Sequence, residues 1–300
     1  MVLQRFPHKL DLTLRTKTAK SSNADKLSHI MTEPIIGTYG HGTENDFVLI
    51  FDPADQLSIT TAQTAAICNR ASGIGADGLI RITKRDGKWF MDYRNADGSI
   101  AEMCGNGIRV MARYLVERGH QAEGIFAINT RDGAKHLRVP LTDDISVNMG
   151  KVTDENEEVT ASVDGKIWNG FNINVGNPHA VVFVEKIEDV GSLEVEPIVR
   201  PKDSYPEGVN VEFVEIMPGH EAKMRVHERG SGETKSCGTG TCAVALAATL
   251  HSKEQLPARW VIYPPGGRLV VDIDPHSNAT LTGPALLISD HDVTSYLQDA

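Results

Sequence analysis

Cysteine is scarce in this chain, with four in 300 residues: Cys68, Cys104, Cys237 and Cys242. That excludes the disulfide-stapled scaffold of small secreted domains and fits a reducing, cytoplasmic setting where thiols stay free. No C-x-x-C pair occurs, and the eleven histidines form no H-x-x-x-H or H-E-x-x-H spacing, so the usual zinc signatures are missing. Positive charge is also in deficit. Thirty Lys and Arg stand against 40 Asp and Glu, a net charge of −10. A general nucleic-acid binder needs a basic field, which this balance does not supply. No run approaches the roughly 18 consecutive apolar residues of a membrane span.

What is present suits one large domain or two medium ones. Residues 1–31 differ from the rest: Arg5, Lys9, Arg15, Lys17, Lys20 and Lys26 face only Asp11 and Asp25. They lack the apolar core of a secretory signal. Two readings fit this leader, an amphipathic targeting peptide or an upstream start with Met31 as the natural one, and the second is preferred. Either way it is expected to lie outside the folded core.

From Ile35 on, short apolar runs alternate with turn signals. Phe47–Phe51, Leu79–Ile82, Trp89–Tyr93, Ile125–Asn129, Ala134–Val139 and Ile145–Met149 read as strands of a first half. Thr60–Arg70 has helical spacing. Gly150 and the acidic stretch Asp154–Glu158 read as a crossing between halves. Lys166–Val175, Ala180–Val184, Val209–Val214, Lys223–His227, Trp260–Tyr263, Leu269–Ile273 and Ala285–Ser289 read as strands beyond it. Few strands alternate with helices, so a doubly wound parallel sheet fits poorly. The pattern predicts an α+β fold of two pseudo-symmetric domains, each a curved mixed sheet wrapped around a central helix.

Those two helices begin alike. Cys104-Gly105-Asn106-Gly107 opens an apolar run to about Glu117, and Cys237-Gly238-Thr239-Gly240 opens another. A helix N-terminus offers free N–H groups and partial positive charge, which stabilise a thiolate and can hold a carboxylate. The glycines let a ligand approach the backbone. Two such ends facing one amino acid would hold its α-carboxylate between two thiols. One thiolate removes the α-proton and the opposite thiol returns one, inverting the centre. Other readings of the pair are a dithiol redox couple and a non-enzymatic amino-acid-binding protein. Cys68 and Cys242 lack this setting and read as inert core thiols.

Further motifs surround these elements: Gly40-His41-Gly42-Thr43-Glu44-Asn45-Asp46-Phe47, Gly73-Ile74-Gly75-Ala76-Asp77, Asn95-Ala96-Asp97-Gly98-Ser99, Gly176-Asn177-Pro178-His179, Gly208-Val209-Asn210 and Glu228-Arg229-Gly230. Together with the two cysteine stretches they closely resemble the diaminopimelate epimerase family, from about Tyr39 to the C-terminus. The resemblance implies a cofactor-independent, pyridoxal-phosphate-free epimerase of LL- and meso-diaminopimelate in lysine and cell-wall precursor synthesis, without a metal. It implies a cytoplasmic homodimer with no nucleic-acid or membrane partner. It divides the chain into an N-terminal domain, 32–148 plus 284–300, and a C-terminal domain, 149–283. Cys104 and Cys237 would be the acid–base pair. Gly105, Asn106, Gly238 and Thr239 would hold the reacting carboxylate. Asn45, Asn95, Asn177 and Asn210 would contact substrate, Glu228 would meet an ammonium group, and Arg229 would fork onto the distal carboxylate. His179 would support the reacting end.

One departure stands out. Many relatives carry Gln at the position of Gly78, where it touches substrate, and Gly78 has no side chain to offer. Proline racemase and hydroxyproline epimerase share the fold and thiols but usually carry His where Asn106 stands, and lack the Asn-Ala-Asp-Gly-Ser block. Isomerases of the phenazine-biosynthesis type lack the cysteine pair.

Overall fold

The computed structural model describes residues 34–298, so the leader 1–31 lies outside the described residues. The first half runs β1 (Ile36–Gly42), β2 (Asn45–Phe51), α1 (Thr61–Cys68), β3 (Gly78–Arg85), β4 (Lys88–Asn95), α2 (Gly105–Glu117), β5 (Gly124–Thr130), β6 (Gly133–Val139) and β7 (Ile145–Lys151). The second begins with β8 (Thr153–Val163), β9 (Lys166–Asn174), β10 (Pro178–Phe183), β11 (Ile198–Arg200), β12 (Asn210–Met217), β13 (Glu221–Glu228) and β14 (Gly232–Thr234). It continues with α3 (Gly238–His251), β15 (Ala258–Tyr263), β16 (Leu269–Ile273) and β17 (Asn278–Gly283). The strand β18 (Leu286–Asp292) and the short helix α4 (Thr294–Leu297) follow.

Strand pairing shows the pseudo-symmetry. In the order β18-β1-β2-β3-β4-β5-β6-β7, successive pairs are antiparallel, antiparallel, parallel, antiparallel, parallel, antiparallel and antiparallel. In the order β8-β9-β10-β12-β13-β15-β16-β17 the same succession recurs. The last strands of the two sets, β7 and β17, pair with each other and join the sheets. A parallel pair needs a crossover. The crossover from β4 to β5 carries α2, and the one from β13 to β15 carries α3. The copies differ at their outer edges: β8 runs directly into β9, whereas β18 reaches β1 from the far end of the chain.

Each crossover helix is enclosed by its own sheet. Every α2 residue from Gly105 to Val116 is buried, as is α3 from Gly238 to Thr249 apart from Thr239. The core includes Phe47, Ile80, Met91 and Val147 around α2, and Val181, Met224, Ile262 and Val271 around α3. For α3 this matches an Ala-rich sequence. In α2 the buried set includes Arg109 and Arg113. Arg113 donates to the carbonyls of Pro140, Leu141 and Asp143, which lets a cation sit in a core.

One segment departs from expectation, and four strands, β1, β11, β14 and β17, fall in stretches without a strand reading. The acidic crossing is strand β8, with a bulge between Asp154 and Glu158 and Asn156 at φ 56°. The bulge takes Asn156 out of the ladder, and Glu157 accepts hydrogen bonds from Asn172 and Ser204. The glycine-rich Ile36–Gly42 is strand β1. A Cβ on Gly37 would lie 2.8 Å from side-chain atoms of Val293 and Val48, and one on Gly40 would lie 2.6 Å from the Leu286 carbonyl. These two glycines serve close packing rather than turning. Among the described residues no helix is long and apolar enough to cross a membrane.

Candidate active site

Both cysteines are helix N-caps. Cys104 (φ −133°, ψ 121°) and Cys237 (φ −118°, ψ 120°) are extended, and their sulfurs accept from the N–H of Gly107 and Gly240, each at 3.4 Å. Ser, Thr, Asp and Asn are the favoured N-caps, so sulfur at both positions is a choice made for something other than capping. The two N-termini meet. A Cβ on Gly238 would lie 3.2 Å from the Gly105 Cα. Glycine at both positions lets the backbones touch, and both positive helix ends converge beside the two thiols.

Side chains from distant segments tie the ends together. Asn106 donates to the Ser236 carbonyl (3.1 Å) and to Asn45 Oδ1 (3.2 Å), joining the residue before Cys237 to the N-terminal hairpin. Asn45 Oδ1 also lies 3.5 Å from Cys104 Sγ, and Asn45 Nδ2 donates to Asp77 at 2.7 Å. Arg70 holds Asp77 (2.7 Å) and grips Asp46 with both arms of its fork. Thr43 hydrogen-bonds Ser236 Oγ at 2.8 Å. Thr43 and Glu44 form the two-residue turn between β1 and β2, both at positive φ (51° and 58°). Neither is a favoured residue there, so strain is held next to the site.

Around Cys237 a second chain of contacts runs outward. Its sulfur is 3.5 Å from Thr239 Oγ1, which accepts from Asn177 Nδ2 at 3.4 Å. Asn177 Oδ1 faces His179 Nε2 (3.0 Å), and His179 Nδ1 faces Glu212 Oε1 (2.7 Å). Glu228 accepts from Thr234, and its charge acts on the Cys237 thiol.

The remaining candidates are placed as follows. Both amide atoms of Asn210 are engaged by backbone, donating to the Pro178 carbonyl (3.1 Å) and accepting from the Arg229 N–H (3.0 Å). Asn95 is exposed at the end of β4, opposite Gly78, and bonds Ser99 Oγ at 3.0 Å. No hydrogen bond joins Asn95 to either cysteine stretch among the described residues. The Arg229 guanidinium rests on the Glu207 carbonyl at 3.4 Å, exposed and without a carboxylate among the described residues.

The thiols differ from the sequence expectation in one respect. Burial pushes the Cys104 thiol up to about 11, the Gly107 N–H pulls it down, and the nearby Glu228 charge pushes it up again. Cys237 is raised well above the usual thiol range by burial, then by Glu228 and Glu212. The helix ends act in the expected direction, but desolvation outweighs them. Burial likewise raises Glu228. Cys68 and Cys242 are buried free thiols, both pushed to about 12.

The place of the relatives' Gln is filled. A Cβ on Gly78 would lie 2.6 Å from the Arg94 carbonyl and 2.7 Å from the Tyr93 ring, so no side chain fits there. Tyr93 occupies the space, with its phenol held well above its usual range by burial and then by the Cys104 and Glu228 charges.

Sequence reading gives no role to Thr43, Asp77, Tyr93, Arg109, Glu212 or Ser236. Four have a local signal: Thr43 and Asp77 stand inside the quoted motifs, Ser236 adjoins Cys237, and Glu212 lies two residues beyond Asn210, on the same face of β12. An open surface hollow of about 490 Å³, lined by residues including Pro257, Arg259, Asp272 and Asn278, contains neither cysteine. Among the described residues no three His, Cys, Asp or Glu side chains converge as a metal site requires.

Comparison with known proteins gives the family. The family model for diaminopimelate epimerase matches residues 37–154 and 171–288. The diaminopimelate epimerase of Streptomyces coelicolor is 44% identical over 272 residues, covering 85% of this chain and 94% of its own. That of Thermobifida fusca is 41% identical over 269 residues, covering 85% and 96%. Among solved structures, a hydroxyproline epimerase from Agrobacterium vitis superposes with a TM-score of 0.64 at 13% identity, covering 87% of this chain and 92% of its own. A Bacillus anthracis phenazine biosynthesis protein of the PhzF family gives 0.66 at 15%, covering 86% and 98%. At such identities these two likenesses speak for the fold alone. On the matched segments and the identity to its relatives, the chain belongs to the diaminopimelate epimerase family.

Proposed function

We propose that this protein interconverts LL- and meso-2,6-diaminopimelate by transferring the α-proton between two cysteines, without pyridoxal phosphate or a metal. The observation that carries the reading is the meeting of α2 and α3 at their N-termini, each capped by a cysteine. The free N–H groups of Gly105, Asn106, Gly238 and Thr239 hold the α-carboxylate. One of Cys104 and Cys237, as thiolate, takes the α-proton. The other, as thiol, delivers its proton to the opposite face, and the pair ends in the mirrored protonation state.

The chemical difficulty is the weak acidity of the α-carbon. As its proton leaves, negative charge grows on the carbon and the carboxylate, and fixed helix-end dipoles in a dry site stabilise that growth. Glu228 receives an ammonium group. The substrate's ammonium charges then offset Glu228 and Glu212, whose charges add to burial in raising the thiols. The unpaired fork of Arg229 takes the distal carboxylate. Asn45, Asn95 and Asn177 line the substrate, Asn210 braces the turns that carry Asn177 and Arg229, and His179 orients Asn177.

The protein works in the cytoplasm as a homodimer, in lysine and cell-wall precursor synthesis. Sedimentation would give the dimer mass, and a monomer at assay concentration would overturn that part. The activity test is incubation with LL-diaminopimelate in deuterated water. Deuterium enters the α-carbon as the meso isomer forms. Absence of exchange, or activity that survives Cys104→Ser with Cys237→Ser, would sink the two-thiol reading.

A further inference from the structure

Arg109 stands five residues beyond Cys104 on α2 and is fully buried, at 0% exposure. Buried guanidinium groups normally answer a carboxylate. The hydrogen bonds of Arg109 go only to neutral oxygens: Gly105 O (3.1 Å), Asn106 Oδ1 (2.9 Å) and Pro284 O (3.5 Å). No carboxylate among the described residues pairs with it. Arg113, one turn on and also buried, reaches Glu117 at 3.6 Å. The cost of isolation shows in Arg109 itself, which desolvation brings down to about 10.

Two consequences follow from where this cation lies. The first is geometric. Only the oxygen of the Asn106 amide can face a guanidinium, so Arg109 fixes the flip of that amide. Asn106 Nδ2 is thereby turned toward Ser236 O and Asn45 Oδ1, across the junction of the two half-sites. The second is electrostatic. Two helix N-termini and one guanidinium make three positive ends in a single desolvated region; Asp144 acts on Arg109 only at a distance, and no carboxylate touches it among the described residues.

We propose that Arg109 is a positioning residue for proton transfer: it locks Asn106 across the two half-sites and holds a buried positive charge answered by the substrate carboxylate as its α-proton leaves. The role rests on the epimerase reading. Charge on the substrate is larger in the transition state than in the ground state, so the effect falls on kcat more than on KM. A residue that only filled space would alter stability without that split.

The test compares wild type with Arg109→Lys and Arg109→Met, using two readouts. In turnover of diaminopimelate, Arg109→Met is expected to lose about 100-fold in kcat while KM stays within about threefold. Arg109→Lys keeps the charge but cannot serve three oxygens, and should fall between. The second readout needs no substrate: alkylation of Cys104 by iodoacetamide at pH 8, located by peptide mass. Removing a cation near Cys104 should slow alkylation about tenfold in Arg109→Met, and Arg109→Lys should restore it. Glu228 and Tyr93, the other titratable groups that act on or feel Cys104, are unchanged throughout. Wild type without α-proton exchange would defeat the epimerase reading, and alkylation would then decide on Arg109 alone. Should Arg109→Met not fold, Arg109→Lys decides: lowered kcat at near-constant KM supports the proposal, and wild-type kcat overturns it. Wild-type kcat or wild-type alkylation in folded Arg109→Met overturns it too.

Discussion

Glu212 Oε1 lies 2.7 Å from His179 Nδ1, and both side chains are fully buried. The other carboxylate oxygen, Oε2, has no hydrogen-bond partner among the described residues. A buried half-satisfied carboxylate is costly, so its retention beside Cys237 calls for a consequence. The structure supplies one: the Glu212 charge is among the causes that keep the Cys237 thiol protonated. Glu212→Gln keeps the shape and removes the charge. Cys237 should then alkylate with iodoacetamide on the order of tenfold faster at pH 8, corresponding to about one pKa unit. An unchanged rate would show that Glu212 acts only through packing.

Glu228 gives a pH dependence with a definite sign. Cys104 titrates at about 11, raised by burial and then by the Glu228 charge. Below that value its thiolate fraction rises about tenfold per pH unit. Alkylation of wild type should therefore climb through pH 8–10. In Glu228→Gln the repelling charge is gone, so the limb should move to lower pH by on the order of one unit. The check is the alkylation–pH curve of both proteins, and a shift to higher pH would contradict the placement of Glu228.

The two contact glycines are expected to differ in tolerance. A Cβ on Gly105 would meet Met149 Cε at 3.1 Å, the end of a flexible side chain. A Cβ on Gly238 would meet the Gly105 backbone at 3.2 Å and Leu281 at 3.3 Å. Gly238→Ala must part the helix ends by a few tenths of an ångström, and should lower kcat about tenfold or more, since small misplacement is costly in catalysis. Gly105→Ala should cost less. Steady-state kinetics of both variants would decide, and equal losses would contradict it.

Away from the site, Asp92 holds the sheet of the first half together. It is 2% exposed, accepts from Arg81 and Arg131, and has Arg94 at 3.8 Å. Burial works against its charge, but the Arg131 and Arg81 hydrogen bonds win and keep its carboxyl below the usual range. Asp92→Asn should destabilise the protein by about 3–5 kcal/mol, because it strands buried arginine charge. A folded pKa below the unfolded one stabilises above pH ~4 and fades as pH falls through the folded value. Thermal melts of Asp92→Asn and wild type should therefore converge in acid. A constant gap down to pH 3 would argue against this account.

Local rules made much of the molecule legible in the sequence. Alternation and apolar runs marked most strands, and each Cys-Gly-x-Gly marked a helix start, because periodicity and N-capping act within a few residues. Strand β1 lacks an apolar alternation because its glycines carry no side chains; their role depends on Val293 and Leu286, about 250 residues away. Strand β8 was lost because five polar residues, Asp154–Glu158, hide a bulge.

The sequence by itself determined that two thiols cap two apolar helices, and its ordered motifs named the family. Only the tertiary structure decided which side chains join the halves, Asn106 to Ser236 and Thr43 to Ser236, and which pair within one half, His179 to Glu212. It also decided that burial raises both thiols and that Arg109 has no carboxylate partner among the described residues. The physical reason is range. Capping and periodicity are settled by near neighbours along the chain, whereas desolvation and charge depend on everything within several ångströms in space, brought there by packing of the two sheets through β7 and β17.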